Sequence, residues 1–130
     1  MTTNDASQLK GKRGIKRLIN AARYSADGFR AAFKNEDAFR QECVLTVVLS
    51  AALPFIEADA ALRLLTFLSM AGVLITELLN SGIEAAIDRI GLEIHPLSKY
   101  AKDAGSCAVM IALAASGASW ATLLWSVLAA

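Results

Sequence analysis

Residues Ala104 to Ala130 read AGSCAVMIALAASGASWATLLWSVLAA, 27 residues without a charge. About 20 apolar residues suffice to cross a bilayer as a helix, so this run decides the fold class. Two shorter runs accompany it, Cys43 to Ile56 (14 residues) and Leu64 to Thr76 (13 residues). Either alone fits a buried core helix; beside the long run, each reads as a short or tilted span. The whole chain agrees: 130 residues, 55% hydrophobic and 19% charged, against about 25% charged residues in soluble domains. The predicted class is an all-α membrane protein with three transmembrane helices.

Charge sets the topology. The net charge is only +1, which excludes a disordered chain and a basic nucleic-acid binder. Residues 1–40 nevertheless carry nine Lys and Arg against four acids, while 41–130 carry four basic and eight acidic residues. The positive-inside rule puts 1–40 and the Arg89 to Asp103 connection in the cytoplasm, with Pro54 to Arg63 and the C-terminus outside. Ile15, Leu18, Ile19, Ala22, Phe29, Ala32 and Phe33 recur at helical spacing with Lys16, Arg17, Arg23 and Arg30 largely between them. That pattern predicts an amphipathic helix lying on the membrane surface; a soluble helix docked on the bundle is the alternative. Gly28 is a point where it can break or bend. Cys43 and Cys107 match no metal or disulfide spacing and read as small buried residues. The single His95 leaves no room for a multi-histidine metal site.

The chemistry lies in TELLNSGIEAAIDRI, Thr76 to Ile90. At 100° per residue Glu77, Asn80, Glu84 and Asp88 share one face, with Leu78, Leu79, Ile83 and Ile87 opposite. An acid in a membrane helix costs on the order of 3 kcal/mol by insertion scales and is functional by default. Three uses remain open: a proton relay, a hard-cation site shared with phosphates, and general-base catalysis. A structural reading also stands, in which Asn80 and Ser81 glue helices together. Glu36, Asp37, Lys102 and Asp103 fall at the same inner interface by this topology, which favours a metal–polyphosphate over a bare proton path. No P-loop and no kinase glycine-rich loop is present.

Three strings, ELLNSGIEAAIDRI, NEDAFRQE (Asn35 to Glu42) and AKDAGSCAV (Ala101 to Val109), together resemble the prokaryotic integral-membrane diacylglycerol kinase family, in order and spacing from about Gly14 to Trp125. The resemblance implies a homotrimeric helical bundle in the bacterial inner membrane, with sites at subunit interfaces. It implies one domain over 1–130: a disordered tail at 1–13, a surface helix at 14–34, and membrane helices at about 35–57, 62–88 and 101–128. It implies direct in-line transfer of the γ-phosphoryl of MgATP to sn-1,2-diacylglycerol, giving phosphatidic acid for phospholipid recycling.

Residue by residue, Glu77 matches the catalytic base, and Glu36 and Glu84 match the Mg²⁺ carboxylates. Arg17, Tyr24, Glu93, His95, Lys102 and Asp103 join them as ATP contacts. Arg17, Ser25, Arg30, Glu42, Ser106, Trp120 and Trp125 match the lipid side, with Glu77 among them. Asn80 and Asp88 support the polar face. Without the resemblance, His95 reads as a solvated histidine, Tyr24 and both Trp as interfacial aromatics, and Lys102 as a positive-inside anchor. Undecaprenol kinase of the same fold is the nearest rival; a proton or ion carrier and a purely structural membrane protein are the others.

Overall fold

The computed structural model describes residues 14–130, and the expected disordered tail at 1–13 lies outside them. The described residues fall into two compact units that meet at Ala31 and Ala32, and each is described by itself. Every regular element is helical: α1 (Ile15–Asn35), α2 (Asp37–Ala52), a short 3₁₀ turn (Leu53–Phe55), α3 (Ala60–Ile90) and α4 (Pro96–Leu128).

Gly14 takes a left-handed φ of +79°, a conformation glycine adopts without penalty, and opens α1. Its carbonyl accepts from Arg17 N at 3.0 Å. Ile15 and Leu18 are 78% and 72% exposed, so the apolar face seen in the sequence finds no cover within its own unit. The helix runs through Gly28 without a break; the expected interruption does not occur, because one glycine costs a helix only about 1 kcal/mol.

At the start of the second unit, Glu36 is extended and separates α1 from α2. Arg40 donates to the carbonyls of Phe33 and Lys34 at 3.1 and 2.8 Å. These are acceptors that the end of a helix leaves without intrahelical partners. Asp59 caps α3 by accepting from Ala61 N and Leu62 N at 2.8 and 3.3 Å, the usual device for helix-start amides.

Asp37–Phe55, α3 and α4 are each long and apolar enough to cross a membrane. The chain is therefore a multi-pass membrane protein. With 31 and 33 residues, α3 and α4 measure about 46 and 50 Å, well beyond the roughly 30 Å of a hydrocarbon core. Their excess length carries Asp88, Arg89, Lys99, Lys102 and Asp103, at the end where the two helices join. The α4 helix begins at Pro96, ahead of the expected 101. Proline suits a first helical position, and His95 Nδ1 accepts from Leu97 N at 3.2 Å as the cap.

Two small cores hold the second unit. Phe39, Cys43 and Ala32 pack with Leu74 and Leu78. Leu53, Met70 and Leu123 pack with Leu49, Leu62 and Trp120. Thr66 is fully buried and satisfied by Leu62 O at 2.8 Å, and Ser69 donates to Ser116 across the α3–α4 seam at 3.3 Å. Small and hydroxylated residues at such seams let membrane helices approach closely. Most other apolar side chains point outward. Cys43 is buried as expected, whereas Cys107 is exposed on α4. Composition could not tell which side of an uncharged helix packs inward.

Candidate functional site

The acid face of α3 turns toward its neighbours. Glu77 and Glu42, from α3 and α2, bring their carboxyl groups within hydrogen-bonding reach of each other. Glu42 Oε2 is buried and has no N–H or O–H partner. Two ionised carboxylates offer only acceptors, so this pair is completed by a proton or by a hydroxyl placed between them. Glu36 and Glu84 are close enough to act on Glu77 through their charge.

Glu84 lies two turns from Glu77, about 10 Å by helical rise, toward the α3–α4 connection. Asn80 donates from Nδ2 to Glu84 Oε1 at 3.1 Å. Beyond it Lys102 of α4 pairs with Asp88 at 2.5 Å, and the Glu84 charge also acts on Lys102. Lys99 pairs with Asp103 one turn apart on α4. One end of the α3–α4 pair thus gathers carboxylates and an ammonium group, while Glu77 and Glu42 stand further along the bundle. Among the described residues, no three His, Cys, Asp or Glu side chains converge to hold an ion.

A groove of about 210 Å³ opens beside the carboxyl pair, lined by Glu42, Thr46, Met70, Val73, Ser116 and Trp120 among others. Its walls come from α2, α3 and α4 and are mostly apolar. The indole Nε1 of Trp120 is buried there without an acceptor. A mostly apolar groove with a few polar groups in its lining suits an apolar ligand with a polar tip.

A family description, prokaryotic diacylglycerol kinase, matches residues 23–124. The chain belongs to the prokaryotic diacylglycerol kinase family. The diacylglycerol kinase of Pseudomonas aeruginosa PAO1 is 48% identical over 118 residues, 91% of this chain and 96% of its own. That of Escherichia coli K12 is 49% identical over 113 residues, 87% and 93% of the two chains. That of Haemophilus influenzae is 44% identical over 112 residues, 86% and 95%.

Within this family member, the structure brings Glu36, Glu42, Glu77, Asn80, Glu84, Asp88 and Lys102 into one region of the second unit. Arg17, Tyr24, Ser25 and Arg30 belong to the first unit; Ser25 donates to Ala21 O at 2.9 Å, and Arg30 pairs with Asp27 at 3.5 Å. Glu93 and His95 line an open pocket of about 300 Å³ with Asp88 and Lys102, at the α3–α4 connection. Ser106 is exposed. Trp120 packs on the Leu123 core, while Trp125 is 73% exposed on the outer face of α4. Sequence reasoning missed two features, the direct Asp88–Lys102 pair and the fit of Asn80 against Gly105. The first could have been read from opposite charges flanking one helix connection. The second depends on the register of α4 against α3, which no single segment encodes.

Proposed function

We propose that this chain is an ATP-dependent lipid kinase that moves the γ-phosphoryl of MgATP onto the free hydroxyl of sn-1,2-diacylglycerol, releasing phosphatidic acid and ADP. The observation that carries this reading is the division of the carboxylates: a pair, Glu42 and Glu77, of which Glu42 lines an apolar groove, and a further one, Glu84, with the Lys102 ammonium two turns away. The names of the relatives, all diacylglycerol kinases, support the same acceptor.

In this reading an acyl chain lies in the groove and the lipid hydroxyl donates to Glu77. Glu77 is the general base and takes the one hydroxyl proton, and Glu42 beside it holds the Glu77 carboxyl and the hydroxyl in place. The nucleotide enters from the α3–α4 connection. Glu36 and Glu84 would hold its Mg²⁺ through carboxylate oxygens, the hard donors this ion prefers, and the ion would offset phosphate charge. Two protein carboxylates are sufficient for an ion that travels on a nucleotide. Lys102 adds a positive charge for phosphate, released from Asp88 when the nucleotide binds. Asp103, Glu93 and His95 complete the nucleotide contacts, and Ser106, Trp120 and Trp125 the lipid contacts. Phosphoryl transfer requires in-line positioning and charge neutralisation more than covalent chemistry, so no phosphoenzyme is needed. The site works in a homotrimer of the bacterial inner membrane, with the N-terminus and the nucleotide in the cytoplasm.

The test is transfer from γ-labelled ATP in mixed micelles, with diacylglycerol and undecaprenol offered side by side. Label appearing in phosphatidic acid supports the reading. Label confined to the polyprenol reassigns the acceptor, and no lipid labelling overturns the kinase.

A further inference from the structure

Gly105 is buried on α4 where it faces Asn80 of α3. A β-carbon at Gly105 would stand 2.2 Å from Asn80 Oδ1, 3.2 Å from its Cγ and 3.7 Å from its Cα. The last value is ordinary van der Waals contact, so the two helices have room for a methyl group. The carboxamide does not. Among the described glycines, Gly105 alone meets a side chain of another helix in this way.

The carboxamide is committed at its other end. Asn80 Nδ2 donates to Glu84 Oε1 at 3.1 Å, and Oδ1 is buried with no N–H or O–H donor. Turning the amide over would aim an acceptor at a carboxylate, so its orientation is set by Glu84. Its position is set by the notch that the missing side chain of Gly105 leaves. A methyl at Gly105 would push the carboxamide out and with it the donor that Glu84 uses, while leaving the helix backbones where they are.

We infer that Gly105 is a positioning residue for the phosphoryl-transfer site: its notch seats Asn80, and Asn80 orients the Glu84 carboxylate toward the metal–nucleotide. The inference rests on the proposed role of Glu84. Groups that orient a metal-binding carboxylate are worth roughly 10- to 100-fold in metal affinity or activity.

The experiment uses the full chain in detergent micelles, with Mn²⁺ and ADP as probes and electron paramagnetic resonance to read bound Mn²⁺. Gly105→Ala is expected to raise the Mn²⁺ concentration for half-saturation on the order of tenfold, with the KM for diacylglycerol and the unfolding profile unchanged. Asn80→Ala should do the same, and the double variant should lose no more than Asn80→Ala alone. Unchanged Mn²⁺ binding in Gly105→Ala, or a further full loss when it is added to Asn80→Ala, overturns the inference. Should Gly105→Ala fail to fold, the double variant decides: folded with the Mn²⁺ affinity of Asn80→Ala, it supports the notch; still unfolded, it assigns Gly105 to helix packing and overturns the proposal. Glu84→Gln separates the two levels. If it leaves Mn²⁺ binding intact, the metal role of Glu84 falls; if it weakens binding and Gly105→Ala does not, only the Gly105 inference falls.

Discussion

Glu42 of α2 and Glu77 of α3 face each other carboxyl to carboxyl, inside a bundle whose other faces are apolar. Opposed acceptors gain nothing from one another; the arrangement gains its hydrogen bonds when a hydroxyl enters. In the proposed reading the lipid reaches this point from the membrane through the mostly apolar groove beside Glu42. The proposed reading divides the labour unequally: Glu77 takes the proton and Glu42 orients.

Glu42→Gln tests that division. Its amide would donate to the Glu77 carboxylate and compete with the acceptor hydroxyl. Turnover is expected to fall roughly tenfold, about one hydrogen bond to a charged group, with the KM for ATP unchanged. Steady-state kinetics with both substrates varied checks this. A loss as large as that of Glu77→Gln would show that the two acids act as one unit.

Glu36→Gln and Glu84→Gln should each raise the Mg²⁺ needed for half-maximal activity. The double variant should cost little more than either single change, as groups acting as a unit are non-additive. Mg²⁺ titration of all three variants checks it. Multiplying losses, or an unchanged Mg²⁺ dependence in either single variant, would break the shared-ion reading. Glu84→Gln should still insert, because removing a charge from a membrane helix relieves a cost on the order of 3 kcal/mol, and Glu36→Gln alters only an extended residue ahead of α2.

The three spans and the acid face were legible because both are local patterns: uncharged length, and polar residues at spacings of three and four, Glu77, Asn80, Glu84 and Asp88. The contacts between segments were not. Pro96 read as a loop residue because the charges around it are dense, yet His95 and Pro96 together start a helix. Cys107 sits in the same uncharged run as Leu123, and only packing separates the exposed thiol from a fully buried leucine. Lys102 was legible as a charge opening the third span, but its pairing with Asp88 required the α3–α4 connection to close.

Packing makes its own prediction. Leu123 is fully buried between Leu53 and Met70, whereas Leu128 is 83% exposed. Leu123→Ala should destabilise the folded bundle by about 2–3 kcal/mol, toward the low end for buried leucines because the unfolded helix still rests in lipid. Leu128→Ala should change stability by less than about 0.5 kcal/mol. Unfolding in mixed micelles on titration with dodecyl sulfate measures both; equal effects would contradict the core assigned to Leu123.

The central claim is that Glu77 takes the proton from the lipid hydroxyl and does not hold the nucleotide. The most direct measurement is a comparison of turnover and MgADP affinity in Glu77→Gln and the unaltered protein, in the same micelles. The account predicts a loss of turnover on the order of 10² to 10⁴, the usual worth of a positioned general base, with MgADP affinity within about twofold. A parallel loss of MgADP affinity would move Glu77 into the nucleotide site, and retained turnover would remove it from the chemistry.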